Sequence, residues 1–386
     1  MTSDSLSSGC GPLTPQPRFS SLKRAVFSSS GALTSFIMFL LAASILGGEI
    51  KPRPEASGEG SGRVVLDMSG YPSRFDGPVN KALILTPVVS DFVTVDQTET
   101  NILAVPMFIK DQTENSFLKK LYPGLLTKKT TISGFGQGVI GCEEVLALQP
   151  DALIVWEHFS QLYRKFGFRG LVAISDFSEG KDKLYDFLGR LADKKEWADF
   201  LVGRGRRQLE VLPHLVPADT QSIGFLVMHR DGFRIFPMIK DFNRDIALIK
   251  GRNYGENFKR NIGLGLETVL LLNPEFIFLY WNVSLSVEDF CQIPAWRNLK
   301  AVRLKQVYKM PFGSSKMEGP VERPLLYYWI LLITRPETRT RIHFREMIKS
   351  AYLEVYGYKI SDDELDEYLL LCENSASANY EMIFSE

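Results

Sequence analysis

Beyond a polar, glycine-rich stretch at residues 49–63, the hydrophobic positions of this chain follow two alternating rhythms. The runs "RVVLDM", "KALIL", "NILAVP" (Asn101 to Pro106), "DALIVW" and "GLVAIS" are short, dense in aliphatic residues, and read as strands. Between them "NSFLKKLY", "EEVLAL" and "KDKLYDFLGRLA" repeat apolar residues at helical spacing, the last with Leu184, Phe187, Leu188 and Leu191 on one face. Strand and helix in alternation predict an α/β fold with a parallel sheet covered by helices. From Lys194 to about Leu212 the helical pattern is unbroken, and Pro213 is expected to end it. At about 1.5 Å per residue such a helix is about 28 Å long, enough to bridge two domains. A second alternating set follows in "SIGFLVM", "EFIFLYW" and "AVRLKQVYKM", and Ser361 with Glu364 in "SDDELDEYLLL" forms a capping box that starts the last helix.

Two stretches say nearly the same thing 124 residues apart: "GCEEVLALQPDALIVW" from Gly141 and "GLETVLLLNPEFIFLY" from Gly265. They share Gly141/Gly265, Glu143/Glu267, Val145/Val269, Leu146/Leu270, Leu148/Leu272 and Pro150/Pro274, and Trp156 falls on Tyr280. A domain-sized offset implies two similar α/β lobes in tandem rather than a solenoid. The expected organisation is an N-terminal lobe at 64–192, an interlobe helix at 193–215 and a C-terminal lobe with terminal helices at 216–386. In each copy a short helix, stopped by Pro, leads to a strand that ends in an aromatic. Open parallel sheets bind ligands at the carboxyl ends of their strands, so Trp156 and Tyr280 are expected on facing walls of one cleft. The repeated glutamates sit in the first turn of their helices, where the dipole favours an anion. They read either as ordinary N-terminal helix residues or as docking points for a partner with two-fold symmetry.

The 386 residues carry 45 basic and 45 acidic side chains and are 45% hydrophobic, which suits two soluble cores and gives no electrostatic footprint for nucleic acid. The first residues differ. Arg18, Lys23 and Arg24 precede a Ser-rich spacer, the apolar run "FIMFLLAASIL" (Phe36 to Leu46), and Gly47 and Gly48. This reads as an export signal over 1–48, followed by a linker at 49–63; an uncleaved anchor is the alternative. The apolar run is shorter than the roughly 20 residues a bilayer span needs. No Cys follows it, which disfavours a lipoprotein and points to a free periplasmic protein. Cys142, Cys291 and Cys372 are widely spaced and read as small buried hydrophobes with at most one bridge.

Several motifs carry less than they suggest. "GQGVIG" (Gly136 to Gly141) fits a dinucleotide fingerprint formally, but the helix after it stops at Pro150, so the glycines read as a cleft loop. His158, His214, His229 and His343 are too scattered for a bare-metal cage. His158 and His229 each follow a predicted strand and could line the cleft. Arg230, Arg234 and Arg244 fall on the cleft side of the second lobe, where guanidinium groups suit an anionic chelate, or else are solvated surface residues. Alternation turns Trp281 to the other face from Tyr280, toward the core.

The repeat, "LYDFLGRLADKKEWADFLV", "KGRNYGENF", "IPAWRNLKAVRLKQVYKMP" and "ERPLLYYWI" together give a resemblance over nearly the whole mature chain. It resembles the periplasmic substrate-binding proteins of ABC importers for metal chelates, the helical-linker class that carries ferric siderophores, haem and cobalamin. The resemblance implies a monomeric receptor, without catalysis or an intrinsic cofactor, that captures an iron(III)-siderophore type chelate and delivers it to an inner-membrane ABC permease dimer. It matches Glu143 and Glu267 to carboxylates that engage arginines on the two permease subunits, and Trp156 to an aromatic that packs on the ligand in cobalamin-binding relatives. The chain departs from the pattern at Arg252, where the family has a second Gly, and at Gln137, a place often aromatic in cobalamin binders. Cobalamin, haem or a nickel chelate are the alternative ligands. A two-domain nucleotide-fold enzyme is the rival from another class.

Overall fold

The computed structural model describes residues 62–385 apart from 132–139, 169, 176–179, 218–220, 230–233, 236–239 and 258–265. The expected export signal, Gln137, Arg230 and most of "GQGVIG" lie outside the described residues, as do the side chains of His229 and Arg234. The first strand, β1 (Arg63–Leu66), pairs antiparallel with β2 (Pro72–Phe75) in a hairpin of its own rather than joining a parallel sheet. Asp67 ties that hairpin to the lobe: one oxygen accepts the Ser69 and Tyr71 N–H groups, the other accepts from the Arg164 guanidinium and the Ala173 N–H.

The N-terminal sheet contains β3 (Ala82–Ile84), β4 (Ile102–Pro106), β5 (Lys129–Thr131), β6 (Ala152–Trp156) and β7 (Leu171–Ile174) in the order β5-β4-β3-β6-β7, every pair parallel. The C-terminal sheet is built from β8 (Ile223–His229), β9 (Arg234–Ile235), β10 (Gly251–Asn253), β11 (Phe276–Leu279) and β12 (Val307–Lys309). Its parallel order is β10-β8-β11-β12, with β9 a short antiparallel addition to β8. In both sheets the chain leaves the first strand toward one edge, then returns to place the next strand on its other side. The returning strands are β6 and β11, each preceded by a repeated helix, Cys142–Leu148 and Leu266–Leu272. The sequence repeat is thus the return crossover that creates a topological switch point in each lobe.

Because both faces of each sheet are covered, the strands are apolar at nearly every position, and the pleat sorts them. Leu83, Leu153 and Val155 face an outer N-terminal cluster, and Leu226, Ile277, Leu279 and Val307 an outer C-terminal one. Their alternates, Ala82, Ile84, Ile154, Phe225, Val227 and Phe278, belong to a single cluster that runs through both lobes, the linker helix and the C-terminal helices. The linker helix spans Lys195–Leu215, 21 residues or about 31 Å. Pro213 lies inside its last turn rather than ending it, since only one hydrogen bond is lost so near the terminus. "AVR" of the second set is a helical turn, Lys300–Arg303, and only "VYK" is strand. The capping box at Ser361 is present, although a further helix, Tyr380–Phe384, follows it.

The lobes are bolted together on one side. Linker residue Trp197 donates its indole N–H to Thr94 O at 3.1 Å, and Arg204 pairs with Glu354 of the helix Phe344–Tyr356 at 2.7 Å. Gly205 lets the linker backbone approach Pro320, whose carbonyl oxygen would sit 2.4 Å from an added Cβ. At the junction lies a buried set of charges. Lys181 of the helix Lys181–Leu191 pairs with Asp91 at 2.8 Å, its own N–H goes to Asp241, and Arg323 reaches Asp182, Asp241 and Asp245 at 3.2, 3.2 and 3.3 Å. Gly180, at φ +90, is required there because a Cβ would lie 2.3 Å from an Asp241 oxygen.

Removing one member of such a set leaves an uncompensated buried charge. Arg323→Met is expected to lower stability by about 3–5 kcal/mol in urea unfolding. Ser361→Ala, which removes only a cap, is expected to cost about 1 kcal/mol in the same experiment.

Candidate functional site

The carboxyl ends of the parallel strands converge between the lobes. After β3 the chain runs through Pro87 and Ser90, and after β12 through Phe312 to Lys316. A narrow recess of about 10 Å³, open to solvent, is lined on the N-terminal side by Ser90, Gln112 and Thr113 and on the C-terminal side by Phe312, Ser314 and Lys316. The loop that supplies the second wall is held by a buried carboxylate. Glu322 is fully buried and accepts from Ser314 N at 2.7 Å, Ser315 N at 2.8 Å, Ser315 Oγ at 2.8 Å and the Tyr352 hydroxyl. The loop backbone is unusual: Gly313, Lys316 and Met317 all have positive φ, at 61°, 62° and 57°. Two consecutive non-glycine residues in the left-handed region persist only where the surroundings fix them. Here the fixing groups are Glu322, Tyr368, whose hydroxyl approaches the Met317 sulfur at 3.0 Å, and Phe117 of the other lobe, whose N–H meets Gly313 O at 2.9 Å.

The outcome of that restraint is the placement of Lys316. Its ammonium lies 6.0 Å from the centre of the Trp281 ring, and Trp281 packs on Phe312 with ring centres 4.4 Å apart. Burial pulls the Lys316 pKa below its ordinary value, against the raising field of Glu318. Trp281, expected from alternation to turn into the core, is half-buried and packs against the interlobe cluster while its ring also meets Phe312.

Tyr280 is different from what the repeat suggests. It is 4% exposed and donates its hydroxyl to Glu318 at 2.6 Å, so its ring is packed into the interlobe core and offers no open face. Tyr280 keeps the pleat of β11, on the inner face with Phe278 and with its N–H on Met228 O at 2.8 Å, and the turn after it brings Trp281 against the same interlobe cluster. Trp156, at the end of β6, is half-buried and stacks on the exposed His158, 6.4 Å between ring centres at 15°. Arg244 is exposed, but its guanidinium is engaged by Asp241 at 2.9 Å and Asp245 at 2.7 Å, so its charge is already balanced by its own helix. Lys316, Phe312 and Ser90 were not singled out by sequence. The signal for the first two was the cluster of Pro311, Gly313, Ser314 and Ser315 directly after a strand, a composition that marks a shaped loop at a ligand-binding edge.

Glu143 and Glu267 are both exposed, each in the first turn of its repeated helix. Beside them Leu146 and Leu270, also paired by the repeat, are 58% and 38% exposed. Among the described residues Cys142, Cys291 and Cys372 form no disulfide, and all three are half-buried. Among the described residues no three His, Cys, Asp or Glu side chains could hold a metal ion, and no helix is long and apolar enough to cross a membrane.

No family model and no curated protein matches the chain in sequence. Its architecture does have counterparts. A periplasmic solute-binding protein from Veillonella parvula aligns with a TM-score of 0.72 at 23% identity, over 81% of this chain and 98% of that one. The fold is that of the periplasmic solute-binding proteins. The Haemophilus influenzae molybdate-binding protein MolA aligns at 0.67 with 18% identity, over 78% of this chain and 99% of that one. Helicobacter pylori CeuE, solved with Ni(II) bound, aligns at 0.65 with 19% identity, over 79% and 99%. The fold class read from the sequence, two α/β lobes with parallel sheets and one long connecting helix, agrees with these neighbours.

Glu322 holds the wall by charge-assisted bonds that an amide reproduces only in part. Glu322→Gln is expected to cost about 2–4 kcal/mol of stability, read by urea unfolding.

Proposed function

We propose that this protein is an exported solute receptor that captures a metal-containing ligand between its lobes and delivers it to an inner-membrane ABC permease. The observation that carries the reading is the pair of topological switch points, β3/β6 and β8/β11, with a recess between the lobes lined from both. The long linker helix and the continuous core favour a preformed cleft with little closing motion. The chemistry is binding rather than bond-making, and no intrinsic cofactor is invoked. An iron(III)-siderophore type chelate is the ligand proposed first, with Trp156 and His158 as an aromatic edge. Arg230, Arg234 and His229 remain candidate ligand residues. The narrowness of the described recess favours a second reading, a compact ligand such as an oxyanion or a small nickel chelate. The molybdate bound to MolA and the Ni(II) bound to CeuE give that reading its precedent.

Docking is assigned to the two exposed tips. Glu143 and Glu267 stand at equivalent places in the two lobes, as a permease dimer with two equivalent sockets requires. Export by the N-terminal signal, periplasmic residence and a monomeric state belong to the same proposal.

Native mass spectrometry of the protein recovered from the periplasm, with metal analysis of the same sample, tests the ligand class. Iron in a chelate-sized adduct supports the siderophore reading; molybdenum or nickel keeps the receptor and changes the cargo; an empty protein that takes up no chelate or oxyanion on titration overturns it. Glu143→Ala with Glu267→Ala is expected to abolish ligand uptake into cells while leaving ligand affinity of the purified protein unchanged.

A further inference from the structure

Three exposed large apolar side chains gather on the β1–β2 hairpin, away from the cleft. The strands pair so that Val64 lies opposite Arg74 and Leu66 opposite Pro72 on one side, with Val65, Ser73 and Phe75 on the other. The inner side is ordinary: Val65 and Phe75 join the interlobe cluster, and Ser73 donates its hydroxyl to Leu171 O. The outer side is not. A hairpin with one face on a core normally shows polar residues to water, yet Val64, Leu66 and the turn residue Tyr71 are 52%, 49% and 48% exposed. They are also held rigidly. Tyr71 donates its N–H to Asp67 Oδ1 and accepts the Asp67 N–H, both at 2.9 Å, and the Arg164 guanidinium lies 3.7 Å from its ring centre.

From this face we propose that the outer side of the hairpin is a lipid-contacting platform that rests on the anionic surface of the inner membrane, with residues 25–48 remaining in the bilayer as its tether. This goes beyond the receptor reading and depends on neither its cargo nor its cleft. Two features select lipid as the occupant. The first is charge. Arg74 on the outer side and Lys165, next to the Arg164 that covers Tyr71, are exposed, while the Asp67 carboxylate is buried and paired with Arg164. The exposed acid of the segment 63–76 is Asp76, beyond the end of β2. Aliphatic and aromatic side chains rimmed by cations suit the headgroup boundary, and each cation near an anionic surface strengthens the contact about fivefold.

The second feature is the chain upstream. From Ala25 to Gly48 it carries no charged residue, and the polar, glycine-rich residues 49–62 join that segment to β1. A flexible linker of this length has a root-mean-square span of about 20 Å. With residues 25–48 in the bilayer, β1 is therefore kept close to the lipid surface. A few half-exposed side chains bind lipid only marginally when free, and stable attachment takes two signals. The tether makes the second contact intramolecular, at an effective concentration of about a millimolar, so the uncharged segment and the hairpin together supply both.

The test reconstitutes the full-length protein into vesicles of phosphatidylcholine alone or of phosphatidylcholine mixed with phosphatidylglycerol, and reads hydrogen exchange by mass spectrometry on peptides covering residues 63–75. Exchange of the hairpin is expected to be about tenfold slower on the mixed vesicles than on phosphatidylcholine alone, a difference that high salt removes. Leu66→Ser with Tyr71→Ser, both on outward side chains, is expected to abolish the slowing, whereas Val211→Ser, 46% exposed on the linker helix, is expected to leave it intact. Arg74→Glu carries the test should the double variant fail to fold, as thermal melting would reveal, and is expected to weaken the slowing about fivefold or more. Equal exchange on the two kinds of vesicle, or a slowing that survives these changes, overturns the platform. A slowing that rises with protein density and does not need phosphatidylglycerol assigns the face to a second copy of the chain and overturns it as well. So does a chain recovered from cells already cut between residues 25 and 62, since the tether is then gone. Cargo binding, titrated on the same preparation, reads the receptor function separately, and none of these outcomes alters it.

Discussion

The fixed relation between the two lobes depends on a small set of buried charges at their junction. Arg323 with Asp241 and Asp245 on one side, and Lys181 with Asp91 and the partly exposed Asp182 on the other, are held at 2.8–3.3 Å. Such pairs contribute little net stability compared with apolar packing, because each charge has lost its hydration. What they supply is uniqueness. A slip of one lobe against the other would strand a charge in the interior, at a cost of several kcal/mol, so only one interlobe arrangement satisfies all of them. Gly180 belongs to this constraint, since a side chain there would push Asp241 out of place.

Around that junction the hydrophobic core is continuous rather than divided. The inner faces of both sheets, the linker helix and the C-terminal helices share one cluster, so the two lobes fold as one compact unit while keeping separate outer cores. The consequence for function is a cleft whose walls are set before a ligand arrives. The loop after β12 illustrates this, since contacts from the N-terminal lobe, the C-terminal helices and Glu322 converge on it. A side chain held in advance of binding loses little entropy when it engages a ligand, and selectivity then follows from which donors the wall presents.

The two lobes also divide labour by position. Carboxyl strand ends gather at the cleft, while the repeated helices present Glu143 and Glu267 at exposed tips, away from the interlobe core. In the proposed receptor, ligand chemistry and partner chemistry could therefore change independently. The exposed leucines three residues beyond each glutamate give both tips the same mixture of charge and apolar surface.

Much of this was legible in the sequence, for identifiable reasons. The alternating apolar runs determined parallel, doubly covered sheets, because a strand buried on both faces has no polar positions to show. The repeat at 141–156 and 265–280 determined two lobes and the location of their switch points, since a crossover helix and its strand are contiguous in the chain. The capping box at Ser361 and Glu364 was readable because both partners lie within one turn. The site itself was decided by tertiary structure. Tyr280 followed the pleat into the interlobe core, and Trp281 departed from it because the turn after β11 begins there, and alternation is informative only while the strand lasts. Arg244 lost its promise to two carboxylates on its own helix. Lys316 gained its place through Glu322, Phe117 and Tyr368, and what fixes it there is the geometry of groups far apart in the chain, which no local pattern encodes.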